Sequence, residues 1–191
     1  MLVHRTRLAA PVIAGVVFVS VITGCEANPS PAPLPSESPS ASSSSSPSPT
    51  VAAPTLPAEA RGTSEASAKA FVRHYFLTLN HATRTGDTRH LKTLSTDACV
   101  SCVNFSERVE EIYGAGGHIN SDGWILESAT PVENQPKSRP ILQLGMTLSS
   151  QRVKLSADQS EDMFDGGKQP MTMFLVRRAD EWQVNKIDLV V

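Results

Sequence analysis

The apolar positions in the first half of the folded region repeat at helical spacing and predict three helices. The first helix follows Ser64, a residue type that caps free amides, and ends at Gly86, which suits the left-handed stop position. Asp87 can cap a short second helix, and the third is expected from about Ser101 to Gly114. The apolar stripe of the first helix, with spacings of four, four and three, consists of Phe71, Tyr75, Leu79 and Ala82.

From residue 118 onward the apolar positions alternate, which predicts strands. Asp122-Gly123 is a favoured hairpin corner, so the first two strands are expected to pair with each other. A loop rich in Ser, Asp and Gly is expected over 156–170, and a final hairpin turns across 179–181. The expected strands cover 118–120, 124–132, 141–148, 171–178 and 182–191. Three helices followed by four to five antiparallel strands predict an α+β fold.

The first 25 residues have the features of a targeting segment. Residues 1–8 carry the positive charges, and residues 9–22 form an apolar run of 14 residues, shorter than the about 20 that a membrane helix needs. The run ends in Ile22-Thr23-Gly24-Cys25, which resembles the lipobox of bacterial lipoproteins. The resemblance implies cleavage after Gly24 and acylation of Cys25, which would hold the chain stably at a membrane. The alternative is an ordinary secretion signal with a chance cysteine.

A segment rich in proline and serine follows the targeting segment. Residues 28–57 hold nine of the 14 prolines and ten serines, and such a composition has too little apolar surface to fold. We therefore predict a lipoprotein signal peptide at 1–24, a lipidated cysteine and disordered linker at 25–60, and one α+β domain at 61–191. The linker is either a glycosylated spacer or a passive tether.

The charge balance excludes one class of partner. The 17 basic and 19 acidic residues give a net charge of −2, so no global positive field would draw the chain onto nucleic acid. The expected location is the extracytoplasmic face of the cell membrane. The expected partners are the membrane, through the lipid anchor, and either a small apolar ligand or another envelope protein.

The order of elements resembles the nuclear transport factor 2-like cone fold, also called ketosteroid isomerase-like or SnoaL-like. The chain is also similar to an actinobacterial lipoprotein family of unknown function, on motifs at 71–76, 85–88, 99–102 and 116–117. These motifs read Phe-Val-Arg-x-Tyr-Phe, Thr-Gly-Asp-Thr, Cys-x-x-Cys and Gly-Gly. The resemblance implies three helices over a curved antiparallel sheet that encloses a pocket, and it implies no reaction.

Two cysteines remain after Cys25, and both lie near the expected start of the third helix. Outside the cytoplasm thiols tend to be oxidised, so a structural disulfide between Cys99 and Cys102 is the main hypothesis. Thiol-disulfide catalysis is the alternative, because a helix start lowers the pKa of a thiol. Metal binding lacks a second ligand pair, and we expect neither a metal nor a cofactor.

A pocket enzyme of the cone type would need an inward acid or base. The titratable candidates are His74, His81, His90, His118, Asp87 and Asp122. Asp87 is better explained as a helix cap, Asp122 as a turn residue, and His81 and His90 as exposed helix positions, so no catalytic residue is assigned. The aromatic candidates for pocket lining are Phe71, Tyr75, Tyr113 and Trp124. The leading hypothesis is a non-enzymatic binding module, with an isomerase- or dehydratase-like enzyme or a redox protein as alternatives.

Overall fold

A computed structural model describes residues 51–190 of the chain. The predicted signal peptide, the acylation of Cys25 and most of the predicted linker lie outside these residues. All three therefore stay predictions.

Within residues 51–190, three α-helices form where the apolar spacing predicts them. They are α1 (Glu65–Thr85), α2 (Arg89–Thr93) and α3 (Val100–Gly114), preceded by a short 3-10 helix at Ala58–Arg61. Ser64 caps α1 as expected, because its Oγ accepts a hydrogen bond from the amide of Ser67 at 3.1 Å. Among residues 51–190, no helix has the length and apolar content of a membrane-spanning segment.

The helix caps differ in one detail from the sequence prediction. The residue before α2 is Thr88, whose side chain caps nothing, although Asp87 Oδ1 accepts from the amide of Arg89 at 3.1 Å.

The 3-10 helix lies mostly within the segment predicted as linker, and its Ala60 is buried. Packed structure therefore reaches a few residues further toward the N-terminus than the apolar pattern indicates.

The described part of the chain contains eight strands, which form two antiparallel sheets. The strands are β1 (His118–Ser121), β2 (Trp124–Pro131), β3 (Ile141–Leu148), β4 (Gln151–Lys154), β5 (Glu161–Phe164), β6 (Gly167–Lys168), β7 (Met171–Arg178) and β8 (Glu181–Leu189). The five-stranded sheet has the order β2-β3-β7-β8, with β6 added to β3, and the three-stranded sheet has the order β1-β4-β5. The α+β class is confirmed, and one sheet has five strands, but the described residues form eight strands in two sheets where four to five strands in a single sheet were expected.

The expected loop at 156–170 contains β5 and β6. All four residues of β5 are exposed, so this strand carries no alternation of buried and exposed positions for a sequence pattern to reveal. Its pairing with β4 is set by backbone hydrogen bonds between Gln151–Lys154 and Glu161–Phe164. The tertiary fold, rather than apolar periodicity, thus decides that this polar segment is extended.

The hairpin predicted at Asp122-Gly123 is also wrong. β1 pairs with β4 and β2 pairs with β3, so the corner carries the chain from one sheet to the other. Gly123 has the positive φ of 87° that such a corner favours. Asn80 on α1 fixes the corner, since its Oδ1 accepts from the amide of Trp124 at 2.8 Å and its Nδ2 donates to the Trp124 carbonyl at 2.9 Å. The turn chemistry was identified correctly, but the strand partners were not.

Two further strand predictions, the final hairpin and the alternation over 141–148, are confirmed. β7 and β8 form a hairpin through Ala179 and Asp180, whose φ angles are 46° and 67°, as in the tight turns that match strand twist. β3 alternates as expected, with its buried side chains contributed by Leu142, Leu144 and Met146. The apolar stripe of α1 and these strand residues belong to one core cluster.

Gly86 shows why the Thr-Gly-Asp-Thr motif needs a glycine. Its φ is 75°, and its amide donates to the Ala82 carbonyl at 2.8 Å, which ends α1. A Cβ at this position would lie 2.5 Å from the ring of Tyr113 on α3. The motif therefore combines a helix stop with a close approach between α1 and α3.

Candidate functional site

The space between α1 and the five-stranded sheet is occupied by side chains. Tyr75 and Phe71 of α1 are each 1% exposed, and they share a core cluster with Met146 of β3 and Met173 of β7, which are 1% and 0% exposed. Burial raises the pKa of the Tyr75 phenol, because the charged form loses its hydration. This interior is therefore a packed core.

Two histidines lie within the buried face of α1. His74 is 5% exposed, and its Nε2 lies 3.4 Å from Thr78 Oγ1. Burial, and secondarily the neighbouring His90, lower the pKa of His74, so its neutral form is favoured. His81 is only 3% exposed, which corrects the prediction that it faces solvent. It follows His74 by two helical turns and therefore shares the same buried face.

The remaining titratable candidates are dispersed over the surface. Asp87 binds the guanidinium of Arg89 through both carboxylate oxygens, at 2.9 and 2.6 Å, and these bonds hold its pKa well below its usual range. His118 lies 2.8 Å from Glu161 across the three-stranded sheet, and Asp122 is exposed at its corner. None of these groups lies in a common cleft with His74. Among residues 51–190, no group of three or more His, Cys, Asp or Glu could hold a metal ion.

The four aromatic candidates for pocket lining do not share one environment. Phe71 and Tyr75 are core residues, whereas Tyr113 and Trp124 are half-buried. The Tyr113 hydroxyl donates to the carbonyl of Thr83 at 2.7 Å, and this bond ties α3 to α1. None of the four lines the three surface cavities described for residues 51–190, so their role in a pocket stays a prediction.

The disulfide between Cys99 and Cys102 is present, with 5.2 Å between the two Cα atoms. Cys99 is 0% and Cys102 3% exposed, and the Tyr75 hydroxyl donates to Cys102 Sγ at 3.4 Å. The bond lies where the chain leaves the edge of β8 and enters α3. There the amide of Thr96 donates to the Val184 carbonyl at 2.9 Å. The disulfide thus joins the strand-like segment beside β8 to the first turn of α3.

The open space in this part of the chain lies at the surface. We call the cavity between the start of α1 and the segment joining β2 to β3 the N-terminal groove; its volume is about 640 Å³. Its lining includes Ser64, Ala68, Pro131, Val132 and Trp182. The charged side chains of Glu65, Glu133 and Lys137 also line it. The sequence pattern does not indicate this groove, although the prolines at 131, 136 and 140 mark an irregular segment.

Trp182 and Arg177 connect this groove to the core. The Trp182 indole donates to Ser67 Oγ at 3.3 Å, and the Arg177 guanidinium lies 5.0 Å from the ring centroid of Trp182. Arg177 also donates to the Gly62 carbonyl at 2.6 Å. These contacts fix the start of α1 against β7 and β8, so one wall of the groove is rigid.

Several solved structures are similar to this chain. The intermembrane space region of the chloroplast protein ARC6 has 10% identity and a TM-score of 0.49, with 65% of this chain and 95% of that chain covered. Aln2 from a Streptomyces species has 11% identity and a TM-score of 0.43, with 64% and 88% covered. A putative scytalone dehydratase from Novosphingobium aromaticivorans has 7% identity and a TM-score of 0.40, with 64% and 82% covered. At these scores we take neither fold family nor function from them.

Comparison with curated proteins gives no match. A family of unknown function, DUF6318, matches residues 40–187, which is most of the chain. The match includes the three helices, the disulfide, the N-terminal groove and nearly all of both sheets. The protein is therefore a member of the family of unknown function DUF6318.

Proposed function

We propose that this protein is an extracytoplasmic lipoprotein, anchored through Cys25, whose folded domain binds a segment of another envelope protein without catalysis. The anchor is supported by the order of basic residues, a 14-residue apolar run and the lipobox-like Ile22-Thr23-Gly24-Cys25. The resemblance of the motifs to an actinobacterial lipoprotein family agrees with this location.

The absence of catalysis rests on one observation, the filled interior beneath α1. In a cone-type enzyme a substrate reaches an inward acid or base inside an apolar cavity. Here Tyr75, Met146 and Met173 are at most 1% exposed, and they occupy the position of such a cavity. We also regard the fold as a variant of the nuclear transport factor 2-like cone, on the basis of three helices followed by antiparallel strands.

The same reasoning favours a structural role for the disulfide. A disulfide that takes part in exchange must be reached by an attacking thiolate. Cys99 and Cys102 are both nearly inaccessible, and Tyr75 lies directly over Cys102. We infer that this bond stabilises the junction between the edge of β8 and α3.

The N-terminal groove is the binding surface that fits a polypeptide best. It combines the apolar Pro131 and Val132 with three charged side chains, whereas small-molecule pockets are mostly apolar and more enclosed. Its wall at Trp182 is held by Arg177, so the surface is formed before a partner arrives. These features support a partner segment rather than an enclosed small apolar ligand.

The anchor is tested by labelling cells with an alkyne fatty acid and separating the extract into detergent and aqueous phases. We expect the wild-type chain to be labelled and to enter the detergent phase, and the Cys25→Ser variant to do neither. Cys99→Ser is the matched control and should keep the label. An unlabelled wild-type chain would contradict the anchor.

The filled interior is tested by methyl NMR of the methionines during titration with the apolar probe anilinonaphthalene sulfonate. Met146, Met171 and Met173 are buried, whereas Met163 is 71% exposed, so one residue type reports on interior and surface together. We expect the three buried methyl signals to stay in place. Saturable shifts at Met146 and Met173 would mean a hollow interior and would favour the enzyme hypothesis.

The partner site is tested by placing a photo-crosslinking amino acid at Val132 in the groove or at Leu77 on the outer side of α1. Leu77 is 58% exposed and lies away from the groove lining, so it controls for random collisions. We expect a discrete adduct from Val132 in intact cells and none from Leu77. Equal patterns from the two positions would contradict the proposed surface.

A further inference from the structure

A second groove, at the outward side of β7, has a different chemical character. Its volume is about 650 Å³, and its lining includes Arg139, Arg177 and Arg178 together with the half-buried Ile141, Phe174 and Val176. No Asp or Glu is among its lining residues within 51–190. We call it the basic groove. It is a local feature, because the chain as a whole has a net charge of −2.

The three arginines are not equivalent. Arg177 has a structural role. It donates to the carbonyls of Gly62 at 2.6 Å and Asp180 at 2.8 Å, and only 13% of its side chain is exposed. Arg139 and Arg178 are exposed. Within residues 51–190 neither of these two has a carboxylate oxygen within the 4.0 Å of a salt bridge. Two guanidinium groups are therefore available to a ligand.

The charged groups around the basic groove largely balance one another, so its positive character comes from the arginines that line it. The Lys186 ammonium lies 5.3 Å from the ring centroid of Phe174, a lining residue, although it is also paired with Asp188 at 2.7 Å. Of the neighbouring acidic groups, Asp180 and Asp188 are each engaged by a basic side chain, whereas Glu181 lies opposite Arg178 in the register of β7 and β8 without a salt bridge to it. An anion at this surface would meet partly balanced carboxylates and the guanidinium groups of Arg139 and Arg178.

Guanidinium is the group that best matches phosphate oxygens, because its planar fork of donors binds two oxygens at once. The floor formed by Ile141, Phe174 and Val176 adds apolar contact beside the charges. A ligand that combines a phosphate with an apolar body fits both properties. An anionic phospholipid at a bilayer surface is such a ligand, and basic side chains gain energy beside anionic membranes.

We propose that the basic groove binds the phosphate headgroups of anionic phospholipids and docks the domain on the bilayer. This inference rests on the proposed function, because the anchor at Cys25 would keep the groove close to a membrane and raise the local headgroup concentration. Docking through Arg139 and Arg178 would orient the domain. It would leave the N-terminal groove, whose lining includes neither arginine, to the partner.

The test uses the purified full chain carrying Cys25→Ser, so that no acyl chain contributes to binding. Cosedimentation is measured with vesicles of phosphatidylcholine alone and of phosphatidylcholine with about 30% phosphatidylglycerol, enough to give a negative surface potential. Arg139→Gln/Arg178→Gln is compared with Arg73→Gln/Arg84→Gln, a matched pair of exposed arginines on α1. The targeting segment is common to all variants, so differences between them report on the mutated surface.

We expect the groove pair to lower partitioning onto anionic vesicles by roughly tenfold and the α1 pair to change it little. The difference in binding between the parent chain and the groove pair should shrink when the salt is raised from about 50 to about 300 mM, as charge attraction requires. Equal losses in the two double variants would overturn the proposal. Full competition by millimolar inorganic phosphate would also overturn it and would identify a soluble anion as the ligand.

These outcomes are independent of the anchor. The vesicle assay lacks the acyl group, whereas fatty-acid labelling at Cys25 does not involve the groove. If the chain is labelled at Cys25 but the groove pair binds anionic vesicles as well as the parent chain does, docking is refuted and the anchor is not. A groove effect in an unlabelled protein would refute the anchor alone.

Discussion

The two sheets of this protein differ in how their strands are used. β7 of the five-stranded sheet alternates buried and half-buried residues, and it packs its inward side chains beneath α1. β5 of the three-stranded sheet has four exposed residues, including Met163 at 71% and Phe164 at 50%. One sheet is thus held by buried apolar area, the other mainly by its backbone ladder. Stability is expected to concentrate in the first sheet and its helices.

The largest expected effect is that of Tyr75→Ala in the filled interior. Removing a fully buried aromatic ring should lower the free energy of unfolding by about 3–5 kcal/mol. Tyr75→Phe keeps the ring and loses only the contact with Cys102, so it should cost about 1 kcal/mol. Urea denaturation measures both. If Tyr75→Ala lowers the free energy of unfolding by less than about 1 kcal/mol, the five-stranded sheet is not held mainly by buried apolar area, and the difference between the two sheets is contradicted.

A smaller but still large effect is expected for Gly86→Ala. Alanine at this position would have to keep the positive φ, and its Cβ would press on the Tyr113 ring. Together these effects should lower the free energy of unfolding by about 3 kcal/mol. Gly114→Ala is the control, because nothing lies within 4 Å of its Cβ position at the end of α3. That variant should be neutral or slightly stabilising. Similar costs for the two would mean that neither the positive φ nor the close approach of Tyr113 explains the glycine at position 86.

The disulfide should contribute less to the free energy of unfolding than the buried core side chains do. The short loop between Cys99 and Cys102 restricts the unfolded chain little, so Cys99→Ala/Cys102→Ala should cost about 2 kcal/mol. The effect should be local. Hydrogen exchange of the amide of Thr96, which bonds to Val184, should accelerate more than that of β7. Unchanged protection at Thr96 would contradict the junction role.

A pH effect is expected from His74. Its pKa in the folded state is lowered from the ordinary 6.5, so the unfolded chain binds protons more readily. The contribution of neutral, buried His74 to the free energy of unfolding is complete above pH 6.5. It is lost as the pH falls through the lowered pKa of the folded state. His74→Gln should flatten the dependence of the melting temperature on pH between about 7.5 and about 5. An equally steep dependence in the variant would place its origin elsewhere.

The smallest effect is expected in the three-stranded sheet. Met163 is mostly exposed on β5, so Met163→Ser should change the free energy of unfolding by less than about 0.5 kcal/mol. Thermal denaturation alongside Tyr75→Ala gives the direct comparison. A loss above about 1 kcal/mol would show that this sheet contributes to global stability and would narrow the difference between the two sheets.

Local sequence patterns are enough to predict the elements whose side chains alternate between core and solvent. The stripe of Phe71, Tyr75, Leu79 and Ala82 predicted α1, and the alternation at 141–148 predicted β3. The cap at Ser64 and the stop at Gly86 were readable because both depend on neighbouring residues only. The disulfide was predicted from spacing and compartment.

Features that depend on partners far away in the chain became visible only in the folded domain. Asp122-Gly123 marks a corner in any context, but Asn80 on α1 and the pairing of β1 with β4 made it a passage between sheets. His81 is buried because α1 presents that face inward, which its polar side chain did not indicate. Both grooves arise where residues far apart in the chain meet. Local side-chain chemistry fixes turns and periodicity, whereas strand partners and cavities follow from the packing of the whole domain.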